Sequence, residues 1–393
     1  MIPKPESGLP TPDAASAAHC DRMSRHLRML IDTAGDGIPF SQFMHEALYA
    51  PGLGYYSAGT RKFGAAGDFV TAPEISPLFG AVIARQLAAV IDDTGGSILE
   101  VGAGTGALAV QLLKKLAALD ALPRQYLILE VSADLASRQR TLIASELPGL
   151  ADRVRWIDAP PDAFRGVVVA NEVADAIPVE RFRIDGGSVQ QARVVNSASG
   201  FDWRYSPAPD FLEAAVRKIE KDLETTLPDG YQSEVSPALA GWVAGFADRL
   251  AHGMMLLVDY GVSRREFYAP DRSGGWLRCH FRHHVHDDPL VLPGIQDITG
   301  WVDFTAVAEA AVDAGLQIAG YAPQGLFLLQ GGLELEFTDL AQLSAKRQAE
   351  LSGQAKLLTM PGEMGENFKF IAMTRGGVEP LPAFIDIDRA HML

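Results

Sequence analysis

At 393 residues the chain is longer than one hydrophobic core usually covers, so a core domain with a substantial insertion or cap is expected. Hydrophobic residues make up 48%, too many for a disordered chain, and the formal net charge of -15 argues against a nucleic-acid partner held by bulk electrostatics. Cys20 and Cys279, the two cysteines, give neither a disulfide framework nor a Cys-based zinc site and fit a reducing compartment.

Residues 1 to about 22 are rich in Pro, Ala and Ser and read as a loose arm, taken as far as residue 35 in dividing the chain. They lack the basic start and apolar core of a secretory signal, and their scarcity of Arg argues against a mitochondrial transit peptide, so the cytoplasm is the expected location. No apolar run approaches the length that crosses a bilayer, so no membrane association is expected. A short helix is expected from Ser41 to Leu48, with Ser41 as its N-cap. The Gly-rich stretch GLGYYSAGTRKFGAAGDFVTAPE follows, more than twenty residues and too long for an idle loop in a compact protein, with a candidate site from Gly64 to Ser76. Its polar residues Asp68, Thr71 and Glu74 suit a lid closing over a cofactor, or Thr71 and Glu74 simply cap the helix beyond. That helix is well marked. Ser76 can cap it, Pro77 suits the first helical position, and Leu78, Phe79, Val82, Ile83, Leu87 and Val90 form one apolar stripe. Residues 36–95 thus read as a helical cap with a glycine-rich lid.

From residue 97 the pattern alternates between strand and helix: SILEV, the turn GAGTG, the helix ALAVQLLKKLAAL, then the short apolar strands QYLILEV, RVRWI and GVVVANE. This alternation reads as a parallel sheet with helices on its faces. RFRIDGGSVQQARVVN and FDWRYS interrupt it as a small antiparallel meander turning at Asp185-Gly186-Gly187, followed by helices near 209–226 and 237–250. MMLLVDYG restores the buried-strand pattern, Phe304 to Ala314 is a helix, and LQIAGYA and ENFKFIAMTR are the last strands. The expected fold is therefore α/β and Rossmann-like, with about seven mostly parallel strands, an N-terminal helical cap and an insertion after the fourth strand. Residues 96–180 and 251–376 form the core, 181–250 the insertion and 377–393 a C-terminal tail.

ILEVGAGTGALAVQLL places three glycines between a strand and a helix, where a sharp turn lets a ligand approach the backbone. Gly102, Gly104 and Ala107 fit the dinucleotide fingerprint, and Gly102, Gly104 and Gly106 fit the loop of S-adenosylmethionine enzymes, so the pattern alone leaves both open. Glu100 favours the second, because a carboxylate beside the loop repels a pyrophosphate and attracts the ammonium and sulfonium of S-adenosylmethionine. Glu130, at the end of the next strand, is placed to accept both ribose hydroxyl protons.

GYY at Gly54 to Tyr56, GDFVTAPEISPLFG, LEVGAGTGALA, LEVSADLASRQ, VVVANEVADAIPVERF, LVDYG, LRCHFRHHVHDDPL, PGIQDITGWVDF, APQGLFLLQGG and MGENFKF together resemble the MidA-type family. The resemblance spans about Pro39 to Met373. It implies a class I S-adenosyl-L-methionine-dependent methyltransferase, in a family that includes the mitochondrial complex I assembly-factor methyltransferase. For that member it implies methylation of an arginine on a complex I subunit. Where the family shows two bulky apolar residues after Asn-Glu this chain has Val173 and Ala174, which bears on pocket shape.

Methyl transfer is an in-line displacement, so positioning supplies most of the gain. An arginine acceptor adds a demand for carboxylates, which orient its fork and draw charge from the attacking nitrogen. Asn171, Glu172 and Asp175 follow the fourth strand, where parallel sheets place ligands, although Asn and Asp there also cap turns. Arg278 to Asp288 holds His280, His283, His284 and His286. Their spacing fits no metal site, and the run reads as a loop lining the acceptor cleft, with His283 as a hydrogen-bonding or proton-accepting group. Asp297, Thr299 and Asp303 face the same cleft, or Thr299 caps the next helix.

The reading is thus a methyltransferase acting on a protein arginine, with S-adenosyl-L-methionine as cofactor. A methyltransferase for a small molecule or another side chain, and an assembly factor that binds the cofactor without turnover, stay open. A nicotinamide oxidoreductase is opposed by Glu100. A homodimer is compatible with such folds.

Overall fold

The computed structural model describes residues 8–58, 70–338 and 342–393, so Asp68 lies outside the described residues. The chain divides into two compact units, the first built from residues 1–69, 175–239 and 263–301 and the second from 70–174, 240–262 and 302–393.

In the second unit seven strands form the main sheet: β1 (Ser97–Val101), β2 (Tyr126–Leu129), β3 (Val154–Ile157), β4 (Phe164–Asn171), β5 (Leu250–Val262), β6 (Gln317–Pro323) and β7 (Phe368–Arg375). The order across the sheet is β6-β7-β5-β4-β1-β2-β3, and a two-residue strand, Val302–Asp303, pairs with β5 as an eighth. β1 to β5 run parallel, whereas β7 is antiparallel to both β5 and β6. The parallel strands are covered on both faces and read as apolar runs: Val167 to Ala170 and Met254 to Val258 are all buried. The Rossmann-like class, the strand number and the insertion after the fourth strand are as the sequence implies.

The helix Pro77–Thr94 packs on this sheet. Ser76 Oγ accepts from Leu78 N at 3.3 Å, Pro77 fills the first helical position, and all six residues of the expected stripe are buried. Upstream, Thr71 and Glu74 form a capping box on the single helical turn Ala72–Ile75, with Thr71 N donating to Glu74 Oε2 at 3.2 Å. The helix Phe304–Asp313 is capped by Asp303, which accepts from Thr305 N and Ala306 N, and not by Thr299.

The first unit holds a five-stranded antiparallel sheet. Glu180–Asp185 and Ser188–Ser197 pair across Gly186 and Gly187, whose φ of +55° and +75° make the left-handed two-residue turn of a tight hairpin. Gly200–Pro207, Ile38–Pro39 and Gln232–Val235 complete it. From Asp13 onward the chain ahead of it is not a loose arm. Ala14–Ala34 is a 21-residue helix whose N-cap Asp13 accepts from Ala15 N and Ser16 N and whose buried face is His19, Cys20, Met23, Leu27 and Ile31. That face packs a core with Phe40, Phe43 and Met44 from the next helix, Phe40–Tyr49. Ser41 does not cap the latter: the cap position is Pro39, and the Ser41 hydroxyl donates to Glu180 Oε1 at 2.5 Å.

The histidine-rich run is a hairpin and not a loop. Arg278–Phe281 and His284–His286 pair antiparallel across Arg282 and His283, with Asp297–Thr299 on the other side. Cys279 and Phe281 point inward, which fixes the two-residue alternation that the histidines mask. Among the described residues, no helix is long and apolar enough to cross a membrane.

The Phe327 ring lies stacked on Phe370 with centroids 3.9 Å apart, and Phe384 meets it edge-on at 5.1 Å. Phe327 is fully buried. Phe327→Ala is therefore expected to cost about 3–5 kcal/mol in the urea-unfolding free energy of the protein. A loss below about 1 kcal/mol would mean that this part of the core collapses to fill the space.

Candidate functional site

The strand order reverses direction between β1 and β4: the chain moves outward one way from β1 to β3 and the other way from β4 to β5. Connections leaving in opposite directions open a crevice at the C-terminal ends of the two strands, where doubly wound sheets bind ligands. Gly102 to Gly106 leave β1 at this point, and Asn171 and Glu172 leave β4.

Gly102, Gly104 and Gly106 have φ of +64°, +53° and +88°, left-handed values that glycine adopts without strain. A Cβ on Gly104 would meet nothing within 4 Å, so its backbone lies open, whereas one on Gly102 would come within 3.1 Å of the Val173 side chain. Gly106 leads into the helix Ala107–Ala118. The loop is tied to the next strand by Gln139, which is fully buried. Its amide nitrogen donates to Gly104 O and to Glu130 Oε2, each at 2.9 Å, and its oxygen accepts from Trp156 Nε1 at 2.8 Å. Glu130 Oε1 accepts from Ser132 N at 2.9 Å. Its carboxylate is thus aimed by Ser132 and Gln139, on the turn and helix that follow β2. Sequence reading missed Gln139 and Trp156, since a glutamine seven residues into an amphipathic helix looks like any other polar position. Val131, beside Glu130, is 79% exposed, an apolar side chain held out in the open.

Glu100 is placed differently from the expectation. Its side chain is buried, and its carboxylate accepts from the Tyr126 hydroxyl at 2.7 Å. Burial pushes its carboxyl up to about 7, against the pull of the Tyr126 hydrogen bond, and the nearby Glu130 raises it further. A group that is partly neutral near pH 7 repels a phosphate less than a fixed charge would, so Glu100 discriminates between nucleotides more weakly than its sequence position implies.

At the end of β4, Glu172 has a φ of +54°, a left-handed conformation uncommon outside glycine. Glu172 N donates to Val258 O at 2.8 Å, its Oε1 accepts from Asn171 Nδ2 at 3.1 Å and from Ala72 N at 3.4 Å. Asn171 Oδ1 is buried and accepts no hydrogen bond among the described residues. The structure thus brings Asn171 and Glu172 together with the turn that carries Thr71. Thr71 itself serves that turn as its cap.

Asp175 belongs to the first unit, in the short turn Ala174–Ala176, and its carbonyl accepts from Gly300 N at 2.9 Å. Nearby, Tyr56 donates to Asp297 Oδ1 at 3.0 Å, and its ring stacks on Tyr49 with centroids 5.5 Å apart. Burial, then Asp297, Tyr49 and Asp175, hold the Tyr56 phenol well above its ordinary range. Tyr56 is the residue of this cluster that charge-based reading passes over. His283 sits at the exposed tip of the hairpin with φ of +62°. His280 and His286 are the inner histidines, and burial lowers both, His280 to about 4. Thr299 donates to Arg278 O at 3.2 Å within the small sheet. No group of three or more potential metal ligands lies together among the described residues.

A family model of S-adenosyl-L-methionine-dependent methyltransferases matches residues 82–322. The chain is 29% identical over 412 residues to "Protein arginine methyltransferase NDUFAF7 homolog, mitochondrial" of Drosophila melanogaster, across 95% of this chain and 90% of that protein. It is 27% identical over 388 residues to "Protein arginine methyltransferase NDUFAF7, mitochondrial" of Homo sapiens, across 89% of this chain and 83% of that one. A superfamily member from Burkholderia thailandensis, solved with S-adenosyl-homocysteine bound, matches with a TM-score of 0.92 and 40% identity over 98% of this chain and 100% of its own. The cytoplasmic expectation is overturned by these curated relatives, which are named as mitochondrial proteins. It rested in part on two free cysteines, which speak for reducing surroundings and not for one compartment.

The raised Glu100 carboxyl gives the protein a pH signature. In the folded state it binds its proton up to about 7, against an ordinary value of 4.5, so its contribution to stability is full below about 4.5 and is lost as pH rises through about 7. Glu100→Gln removes this dependence. Relative to the native chain, the variant is expected to gain stability between about pH 5 and pH 8 in urea unfolding. An identical difference at both pH values would count against a raised Glu100.

Proposed function

The chain belongs to the S-adenosyl-L-methionine-dependent methyltransferase family, and from that premise we propose that it methylates an arginine side chain of a protein, with the donor held at β1 and β2 and the acceptor at the end of β4. That it is a methyltransferase using this cofactor follows from the family itself. The observation that carries the residue assignment is the switch point, which sets the glycine loop beside Asn171 and Glu172.

The residues present fit the cofactor. The open backbone at Gly104, the aimed carboxylate of Glu130, the exposed apolar Val131 and the buried Asn171 oxygen offer, in turn, close approach, a diol acceptor, a shelf for a flat ring and an acceptor for an ammonium group. When bound, the cofactor supplies an electrophilic methyl group on a sulfonium. Glu130 is assigned to the ribose hydroxyls, and Gly102, Gly104 and Gly106 to the backbone wall. Glu100 supports the loop from within the sheet, while Asp68 and Thr71 belong to the segment leading into the capped turn.

Arginine as acceptor is supported by the names of the curated relatives and by the chemistry of a carboxylate held at the crevice. A guanidinium has no free lone pair and a pKa above about 12, so a carboxylate on its fork both orients it and draws charge away from the attacking nitrogen. Glu172 is the assigned carboxylate, with Asn171 beside it. Each transfer releases one proton from that nitrogen, and Glu172 is the group assigned to receive it. Asp175 and His283 remain candidates for contacts with the acceptor chain. An arginine on a respiratory complex I subunit, which the family resemblance implies for the mitochondrial member, is the first protein acceptor to try.

Titration calorimetry with S-adenosyl-L-methionine and, separately, with NADH tests the donor; tritium transfer to arginine-containing peptides, followed by amino-acid analysis, tests the acceptor. Saturable binding of the first ligand alone is expected. Glu130→Ala should weaken it roughly 10- to 100-fold, the range for hydrogen bonds to a charged group. Glu172→Gln should leave binding within about threefold and lower transfer at least 100-fold. Label recovered on lysine, or on a small molecule from an extract, would replace arginine as acceptor. Normal function of Glu172→Gln in cells would favour an assembly factor that works without turnover.

A further inference from the structure

We propose that Asp259 is the positioning residue for Glu172: its carboxylate holds the backbone just beyond Glu172 and so keeps that side chain in its left-handed turn, directed into the crevice. The inference rests on the reading of Glu172 as the acceptor-facing carboxylate.

Asp259 lies near the C-terminal end of β5, the strand beside β4, and is completely buried. A buried carboxylate must be matched by donors, and backbone amides are among them here. Asp259 Oδ2 accepts from Val173 N at 3.1 Å and from Ala174 N at 2.9 Å, while Oδ1 accepts from Tyr260 N at 2.9 Å. Val173 and Ala174 directly follow Glu172. Their amides stand where β4 has stopped and the short turn Ala174–Ala176 is only beginning, so neither the strand nor a preceding helical turn offers them a carbonyl.

Three further contacts show what the anchor achieves. Glu172 N is bonded to Val258 O, so residues 172 to 174 are stitched to residues 258 and 259 by one backbone and two carboxylate bonds. The stitching holds Glu172 at φ of +54°, a conformation that costs a non-glycine residue free energy and persists only where neighbours over-determine it. The held turn also sets the Val173 side chain against Gly102, the first residue of the cofactor loop. One buried carboxylate thus fixes both a chemical side chain and the packing of the loop that binds the donor. An amide in its place would present a donor to amide donors and could not satisfy all three.

The test pairs hydrogen exchange with a double-mutant cycle in the full chain. In native protein the Val173 and Ala174 amides should exchange as slowly as those of Met255 to Leu257, and rapid exchange would overturn the proposal with no variant needed. Asp259→Ala, which removes the oxygen that both amides share, should speed exchange at 173 and 174 at least tenfold while the core strands keep their protection. In tritium transfer to the arginine peptides it should lower kcat roughly 100-fold, the scale of a small misplacement of a reacting group, with S-adenosyl-homocysteine affinity within about threefold. In the Glu172→Gln background, the same Asp259 substitution should lower kcat by no more than about twofold further, because a residue that acts through Glu172 has nothing left to position. Multiplying losses, or a variant that merely melts earlier at unchanged kcat, would overturn the positioning role. Unchanged turnover in Glu172→Gln alone would instead sink the reading of Glu172, leaving the exchange result to decide whether Asp259 holds the turn.

Discussion

A parallel strand ends with its carbonyls and amides unpaired, and where two neighbouring strands send their chains in opposite directions nothing covers those ends. β1 and β4 are such a pair. Everything at the candidate site answers the backbone that this leaves exposed. At β1 the answer is glycine: with φ positive at residues 102, 104 and 106, the chain turns back on itself and Gly106 N closes onto Ala103 O at 2.7 Å. At β4 the answer is a buried acid, Asp259, which takes up the amides that no helix claims. At β2 it is an amide side chain, Gln139, joining loop, carboxylate and indole in one chain of hydrogen bonds. All of these arrangements leave a functional group facing outward from a rigid edge.

The buried acids of this molecule show how differently the same side chain is used. Asp259 meets three backbone donors, Val173 N, Ala174 N and Tyr260 N, which match the carboxylate oxygens inside the sheet. Glu100 meets one phenol and a second acid nearby, and its carboxyl is driven up to about 7. In the first unit Glu234, also buried, accepts from Trp276 N at 2.8 Å with Arg181 at 3.7 Å, and burial still carries it to about 6. The number and kind of donors decide the outcome, and depth alone does not.

Much of the second unit was legible because its strands are apolar on both faces and its turns carry glycine. The helix Pro77–Thr94 was readable down to its cap, since Ser76, Pro77 and a six-residue stripe all agree. The first unit was harder. Its sheet draws Ile38–Pro39 from one end of the chain and Gln232–Val235 from beyond a helix, and strands of two or four residues leave no periodicity to read. The N-terminal helix was hidden by composition: Ala, Ser and Pro at residues 10–18 suggest disorder, yet Cys20, Met23, Leu27 and Ile31 recur at helical spacing just beyond. The hairpin at 278–286 was hidden by chemistry, because four histidines drew attention from the alternation of Cys279 and Phe281.

Candidate residues sorted by a similar rule. Charged or glycine residues that follow an obvious strand, such as Glu130, Glu172 and Gly104, could be picked out because position and residue type together imply a task. Gln139, Trp156 and Asp259 could not, since each acts on another residue across a gap in sequence that only the fold closes: 35 residues from Gly104 to Gln139, and 86 from Val173 to Asp259. LVDYG was visible as a motif, but the aspartate inside a run of buried apolar residues gave no sign of what it held. A charge in such a run has to be matched, and the match lies on the neighbouring strand. Reading a parallel sheet for function therefore means asking of every acid near a strand end which backbone amides, one strand over, have lost their partners.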